Sequence, residues 1–179
     1  MTEQHSSDWL GLSGSVAVVT GGGGGIGRAT AVSFARAGAR VAALDRDERG
    51  LAETKAKLRE FGDGHLVASC DTTSEDNVAA AADAVARTLG PSDILVNTAA
   101  VLRPGGLDTL PLAEWNAVLA VNLTGYFICA QAFGRQMRQG RTRQSHPRRL
   151  DRRQQCAGAE RRLQRQQGRC RDALAATRR

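Results

Sequence analysis

Tyrosine and lysine are almost missing from this chain: one Tyr, Tyr126, and two Lys, Lys55 and Lys57, in 179 residues. Ala130 stands four positions after Tyr126, so no lysine lies one helical turn beyond the only phenol. A tyrosine that passes protons needs an ammonium close to it, to bring its pKa down from about 10. The four cysteines (Cys70, Cys129, Cys156, Cys170) form no CxxC pair and no paired metal-ligand spacing. That excludes a zinc-ribbon type of site. Cys70 and Cys129 lie in apolar sequence and read as buried, reduced thiols of a cytoplasmic protein. Residues 1–8 are polar, without the apolar centre of a secretory signal. No uninterrupted apolar run reaches the roughly 20 residues of a membrane span.

The last 42 residues lack Val, Ile, Phe, Tyr, Trp and Met altogether. They therefore cannot supply a buried strand, and their Arg/Gln-rich composition predicts disorder or a marginal helix. They also hold the chain's basicity. Residues 1–137 carry 11 Lys+Arg against 15 Asp+Glu, whereas residues 138–179 carry 14 Arg against 3 acids. The overall charge of +7 is thus a property of the tail alone. A basic tail suggests phosphate contacts with RNA or DNA, but this one has no aromatic side chain for base stacking, which argues against it.

What is abundant is glycine, and it is concentrated. Residues 15–27 read SVAVVTGGGGGIG. Val16 to Val19 form an uncharged, mostly β-branched run suited to a strand buried on both faces. Five glycines follow Thr20, and apolar positions at helical period begin at Ile26. Strand, glycine turn and helix together aim backbone N–H groups and a helix N-terminus at a phosphate. Side chains in the turn would hold a pyrophosphate away. A flexible linker of the same composition would have neither the strand before it nor the helix after it.

The spelling Thr20-Gly21-x-x-x-Gly25-Ile26-Gly27 resembles the TGxxxGIG fingerprint of the short-chain dehydrogenases/reductases. The remaining order agrees with that resemblance. Residues 28–38 predict a helix closed by Gly38. Residues 40–44 predict a strand ending at Asp45, 18 residues beyond Gly27 and near the spacing expected for the acid that binds the adenosine ribose. A carboxylate there favours NAD and repels the 2′-phosphate of NADP, although Arg46 beside it is a partner for that phosphate. Capping the next helix is the competing role for Asp45. A helix over 47–61, a strand over 65–70 and an Ala-rich helix over 74–89 capped by Ser74 follow. The resemblance places Asp71 at the adenine and makes Thr72 beside it a cofactor-site residue, with helix capping as the competing role for Asp71.

A fourth strand over 93–96 leads into Asn97-Thr98-Ala99-Ala100. This resembles the family's NNAG turn, which supports the sheet beneath the cofactor, with Thr98 and Ala100 departing from the pattern. The resemblance makes Asn97 and Ala99 cofactor-site residues. One long helix is predicted over 110–137. Within it Val121-Asn122-Leu123-Thr124-Gly125 resembles the segment carrying the family's catalytic Asn, which makes Asn122 the one retained member of the catalytic set. That Asn holds a water on the proton-relay path. A buried packing hydrogen bond is the plain alternative.

The family's next parts are a strand, a catalytic Ser and YxxxK, and these are not spelled here. A shifted reading frame restores them. Residues 162–168 can be encoded CGC CTA CAG CGC CAG CAA GGC, which one nucleotide later reads Ala-Tyr-Ser-Ala-Ser-Lys-Ala. Residues 148–152 shift in the same way to Ala-Ala-Ser-Ile. The shifted Ser and Tyr overlap Leu150 and Leu163, a separation usual in the family. The frame is inferred to slip within a few residues after Met137.

The expected architecture is an α/β, Rossmann-like, doubly wound parallel sheet, incomplete at about four strands. Its parts are an N-terminal tail (1–13), a dinucleotide-binding domain (14–137) and a basic tail (138–179). By resemblance the ancestral activity is NAD(P)-dependent hydride transfer with a small-molecule alcohol or carbonyl substrate, inactive as written without Ser and YxxxK. A non-catalytic nucleotide-binding module with a nucleic-acid-binding tail is the alternative. No membrane partner or metal is expected. The helices through which the family forms homo-oligomers are only partly present.

Overall fold

The computed structural model describes residues 10–106 and 108–143. These belong to one compact unit, and residues 145–179 lie outside the described residues. The basic-tail expectation therefore also falls largely outside them.

Four strands form a single parallel sheet: β1 (Val16–Thr20), β2 (Arg40–Asp45), β3 (Leu66–Ser69) and β4 (Ile94–Asn97). Their spatial order is β3-β2-β1-β4. The chain runs outward from β1 to β3, then crosses back to place β4 on the other side of β1. That reversal is the switch point at which doubly wound sheets open a crevice beyond their carboxyl ends. Thr20 is in register with both Leu44 and Asn97, so the strands end together and their following loops meet.

Helices cover both faces, as the β-branched, uncharged β1 requires. Helices α1 (Gly25–Arg36) and α2 (Glu48–Leu58) seal one face. Ala31, Ala35, Leu51 and Leu58 pack there on Val19, Val41 and Ala43. Helix α3 (Glu75–Thr88) and the later α5 (Gly125–Arg143) cover the other. Val78, Ala82, Val85, Cys129 and Phe133 meet Val16, Val18 and Leu44 on that side. Alternate residues of β1 thus go to opposite cores, as the strand's period of two demands. Gly38, at φ +85°, closes α1, and the Ser74 hydroxyl accepts the Asn77 N–H at 3.3 Å to cap α3.

Helix α1 starts at Gly25, three residues before the expected 28, and two later elements also differ from the sequence expectation. The helix expected over 47–61 stops at Leu58 and tightens into a 3₁₀ turn, Arg59–Phe61. The single helix expected over 110–137 is α4 (Leu112–Leu119), a π-helical turn (Ala120–Thr124) and α5, which runs six residues past Met137. Pro111 at the N-cap delays its start, because the residue before a proline is pushed out of the helical region.

The stretch Leu112–Gln139 is long and apolar enough to cross a membrane by length and composition, with mean hydropathy 1.4 over its most apolar 18 residues. Asn122, Thr124 and Gln131 interrupt the apolar run without adding charge, which is why the sequence alone shows no uninterrupted span. In the fold its α5 part covers the sheet, with Phe133 and Cys129 fully buried in the core. Leu112, Trp115, Leu123 and Phe127 remain exposed on its outer side. Among the described residues nothing pairs with the outer edge of β4, and Ile94–Asn97 are only half-buried, whereas β1 is wholly buried.

Candidate functional site

The strand ends create a cleft of about 180 Å³ lined by Gly21, Gly24, Asp45, Asp71, Thr72 and Ala99, with Arg46, Cys70, Thr98, Ala100, Val101 and Val121. Two glycines of the turn are there for space. At Gly21 (φ +71°) a Cβ would lie 2.6 Å from the Ala99 nitrogen, and at Gly27 it would lie 2.0 Å from the Gly21 carbonyl oxygen. Gly25 differs: a Cβ there would meet nothing within 4 Å. The folded chain gives no steric reason for glycine at this position. Gly24 caps α1 without a side-chain hydrogen bond, and the first turn contains no acid. An unblocked helix N-terminus with open space above a glycine is a cradle for an anion, and it fits a pyrophosphate.

Asp45 closes one end of the cleft. Its Oδ2 accepts the Gly23 N–H at 2.9 Å and its Oδ1 accepts the Asp47 N–H at 3.0 Å. Asp47, not Asp45, is the N-cap of α2. Each Asp45 oxygen keeps a lone pair for a ligand hydroxyl. Asp71 lines the same cleft. Its Oδ1 accepts from the Thr73 hydroxyl at 2.7 Å and the Thr73 N–H at 2.9 Å. Those two bonds, hydroxyl first, hold its carboxyl below the ordinary carboxylate range, burial opposes them, and the Arg46 guanidinium helps. Ser74 takes the cap of α3, so Asp71 forms an Asx turn just before it.

Thr20 and Asn97 stand behind the cleft. Thr20 is fully buried, and its hydroxyl donates to Asn97 Oδ1 at 3.2 Å, tying β1 to β4. The departure at Thr98 is absorbed locally: its N–H and its hydroxyl both donate to the Thr20 carbonyl. Ile26 does not join the cleft. It is exposed and lines a separate apolar groove with Leu10, Leu12, Ala29, Phe34 and Ala37.

Asn122 sits in the π turn, a local geometry often associated with functional sites. Its Oδ1 accepts the Val101 N–H at 2.9 Å and its Nδ2 donates to the Val101 carbonyl at 3.0 Å. The side chain is therefore committed to the loop after β4. Gly125, which ends the same motif, lets α5 approach Thr72, where a Cβ would lie 3.0 Å from the hydroxyl. Sequence reasoning did not assign Val101, Val121 or Cys70 to the cleft. Only Cys70 carried a signal, as the residue that ends β3 just before Asp71.

Fold and site define a Rossmann-type dinucleotide domain. The family model for short chain dehydrogenases matches residues 15–144, and the chain belongs to that family. It is 44% identical over 126 residues to D-threitol dehydrogenase of Mycolicibacterium smegmatis, covering 70% of this chain and 48% of the relative. The crystal structure of hydroxysteroid dehydrogenase from Escherichia coli superposes with a TM-score of 0.70 at 33% identity, over 75% of this chain and 57% of that one. An actinorhodin polyketide ketoreductase solved with NADPH superposes at 0.66 and 35% identity, over 69% and 47%. The chain spans about half the length of the relatives it matches.

Proposed function

We propose that this chain binds NAD(H) through the domain expected at residues 14–137, extended by the end of α5, and that as written it performs no hydride transfer of its own. The observation that carries the reading is the cleft: Gly21, Gly24 and Asp45 line it, and the α1 N-terminus that starts at Gly25 has no side-chain cap. Gly21, Gly25 and Gly27 shape the pyrophosphate cradle, while Ile26 faces the separate groove and takes no part in it. Asp45 takes the adenosine ribose hydroxyls and opposes a 2′-phosphate. Asp71 and Thr72 border the adenine, and Thr20, Asn97 and Ala99 support the floor. NAD supplies hydride acceptance and donation when bound.

The sequence has no side-chain set to move the accompanying proton. Tyr126 is its only tyrosine, and both lysines lie on α2, away from the cleft. Asn122, bonded to Val101, orients the loop over the cleft and is the one retained member of the family's catalytic set. The shifted-frame spelling of Ser and YxxxK supports descent from an intact alcohol or carbonyl oxidoreductase. The exposed face of α4 and α5 and the open edge of β4 fit surfaces that an intact relative would cover, so assembly into the family's homo-oligomers is not part of this reading. Buried reduced thiols at Cys70 and Cys129 fit the cytoplasm.

The test is titration of the full chain with NADH and NADPH, followed by nicotinamide fluorescence, alongside oxidation assays with D-threitol and NAD. Tighter binding of NADH and no turnover support the reading. Tighter binding of NADPH, or turnover above background, defeats the corresponding part. Sequencing the encoding DNA across codons 137–145 and past the stop decides whether the tail is a frame slip.

A further inference from the structure

The five-glycine turn poses a physical problem, because glycine loses more backbone freedom on ordering than any other residue. A binding loop built from five of them has to be held by something outside itself. Within the turn, Gly22 N–H donates to the Leu44 carbonyl at 3.0 Å and Gly24 N–H to the Gly21 carbonyl at 3.1 Å. The remaining support comes from behind the cleft.

Thr54, on α2, is fully buried. Its hydroxyl lies 2.7 Å from the Gly22 carbonyl oxygen and 3.0 Å from that of Gly50, and accepts from Arg28 Nε at 3.0 Å. Arg28, on α1, extends Nη2 to the Gly23 carbonyl at 2.7 Å and the Gly50 carbonyl at 3.2 Å, and the same nitrogen pairs with Glu53 at 2.9 Å. The carbonyls of Gly22 and Gly23 are thus both engaged from the α2 side. In a trans peptide the carbonyl and the following N–H point in opposite directions. Holding the Gly22 carbonyl toward Thr54 therefore turns the Gly23 N–H the other way, where it meets Asp45 Oδ2 at 2.9 Å. One peptide is clamped at both ends, by Thr54 and by Asp45. Helix α2 approaches closely enough for this only because residue 50 is glycine, where a Cβ would lie 2.5 Å from the Gly23 carbonyl oxygen.

We infer that Thr54 and Arg28, which do not line the cleft, are positioning residues for dinucleotide binding. They fix the Gly22–Gly24 peptides and, through the Gly23 N–H, the carboxylate of Asp45. The inference rests on the NAD(H) reading. It assigns part of the affinity to preorganisation of the loop rather than to contact with the ligand. Arg28 acts through its planar fork, because a lysine in its place keeps the charge toward Glu53 but cannot reach Thr54 and two carbonyls together.

The experiment uses the full chain and NADH as the probe, with Kd from fluorescence and hydrogen exchange of the Gly22–Gly24 amides by NMR. Thr54→Val, which keeps the volume and removes the hydroxyl, is expected to raise the NADH Kd about tenfold and to speed exchange at Gly23. Thr54→Ser restores both. Arg28→Lys is expected to weaken NADH binding severalfold, whereas Glu53→Gln leaves Kd unchanged. A purely structural role would lower the melting temperature of T54V and R28K but leave the Kd of the folded protein unchanged. Wild type that binds NADH while T54V and R28K bind equally well overturns the inference alone. Wild type that fails to bind NADH, with Gly23 protected from exchange, overturns the dinucleotide reading and this inference with it. Should T54V fail to fold, R28K and the exchange data decide.

Discussion

Asn122 forms a two-way hydrogen-bonded pair with the backbone of Val101, accepting its N–H at 2.9 Å and donating to its carbonyl at 3.0 Å. A side-chain amide here imitates a strand partner, and it ties the π turn between α4 and α5 to the loop that lines the cleft. Replacing it with alanine removes both bonds and leaves two backbone groups to find water, at a cost of about 1–3 kcal/mol. Asn122→Ala is expected to unfold at lower urea concentration and to bind NADH more weakly, because Val101 then loses its anchor. An unchanged urea midpoint would show that the pair contributes nothing to stability.

The glycines of the turn separate into two kinds. Gly27→Ala sets a Cβ 2.0 Å from the Gly21 carbonyl, so the folded chain itself must distort. Gly25→Ala meets nothing in the protein, and alanine favours a helix by roughly 0.5–1 kcal/mol over glycine. The expected outcome is opposite in sign for stability: G27A melts lower, and G25A melts at or above wild type. Both lose NADH binding, G25A because its methyl enters the anion cradle. Calorimetry with NADH titration checks this, and an undiminished affinity in G25A would place the pyrophosphate elsewhere.

Much of this was legible in the sequence because it is written in side-chain type. The apolar runs that became β1 and β2, the acid closing β2, and the Ser74 cap all announce themselves through composition and spacing. The π turn does not. It inserts one residue's worth of backbone slack around Asn122 while the apolar pattern on either side continues, so periodicity reads straight through it. The support of the glycine turn was hidden for a different reason. Thr54 and Arg28 act on the carbonyls of Gly22, Gly23 and Gly50, and backbone acceptors leave no mark in a sequence. Tail residues 148–168, which carry the shifted-frame argument, lie outside the described residues.

Asp71 gives a pH dependence whose sign follows from its lowered pKa. The Thr73 hydroxyl and N–H favour the ionised form in the folded chain, with Arg46 adding to them. The contribution is therefore complete above the ordinary carboxylate range and is lost as acidification passes through the lowered folded-state value. Thr73→Val removes the hydroxyl bond and raises that value. Melting temperatures measured between pH 6 and pH 3 are expected to fall less steeply for T73V than for wild type. Parallel curves would remove Asp71 from the acid response.

The thiols act at the other end of the scale. Burial pushes Cys70 up to about 11, helped by the charges of Asp71 and Asp45, and pushes Cys129 up to about 12, helped by Cys70. A group whose pKa is raised by folding stabilises fully below its unfolded value, near 9.0, and loses that contribution as pH climbs through the folded value. Stability is thus expected to decline between pH 9 and pH 11, and to decline less in Cys129→Ala, which removes the more strongly shifted of the two thiols. The same burial makes both thiolates scarce at pH 8, and thiolate is the reactive form. In a Cys156→Ser/Cys170→Ser background, an aromatic disulfide reagent is expected to leave Cys70 and Cys129 untouched in the native chain and to titrate two thiols in urea. Rapid reaction of one native equivalent would mean that Cys70, which lines the cleft, opens to solvent there far more than its 3% exposure implies.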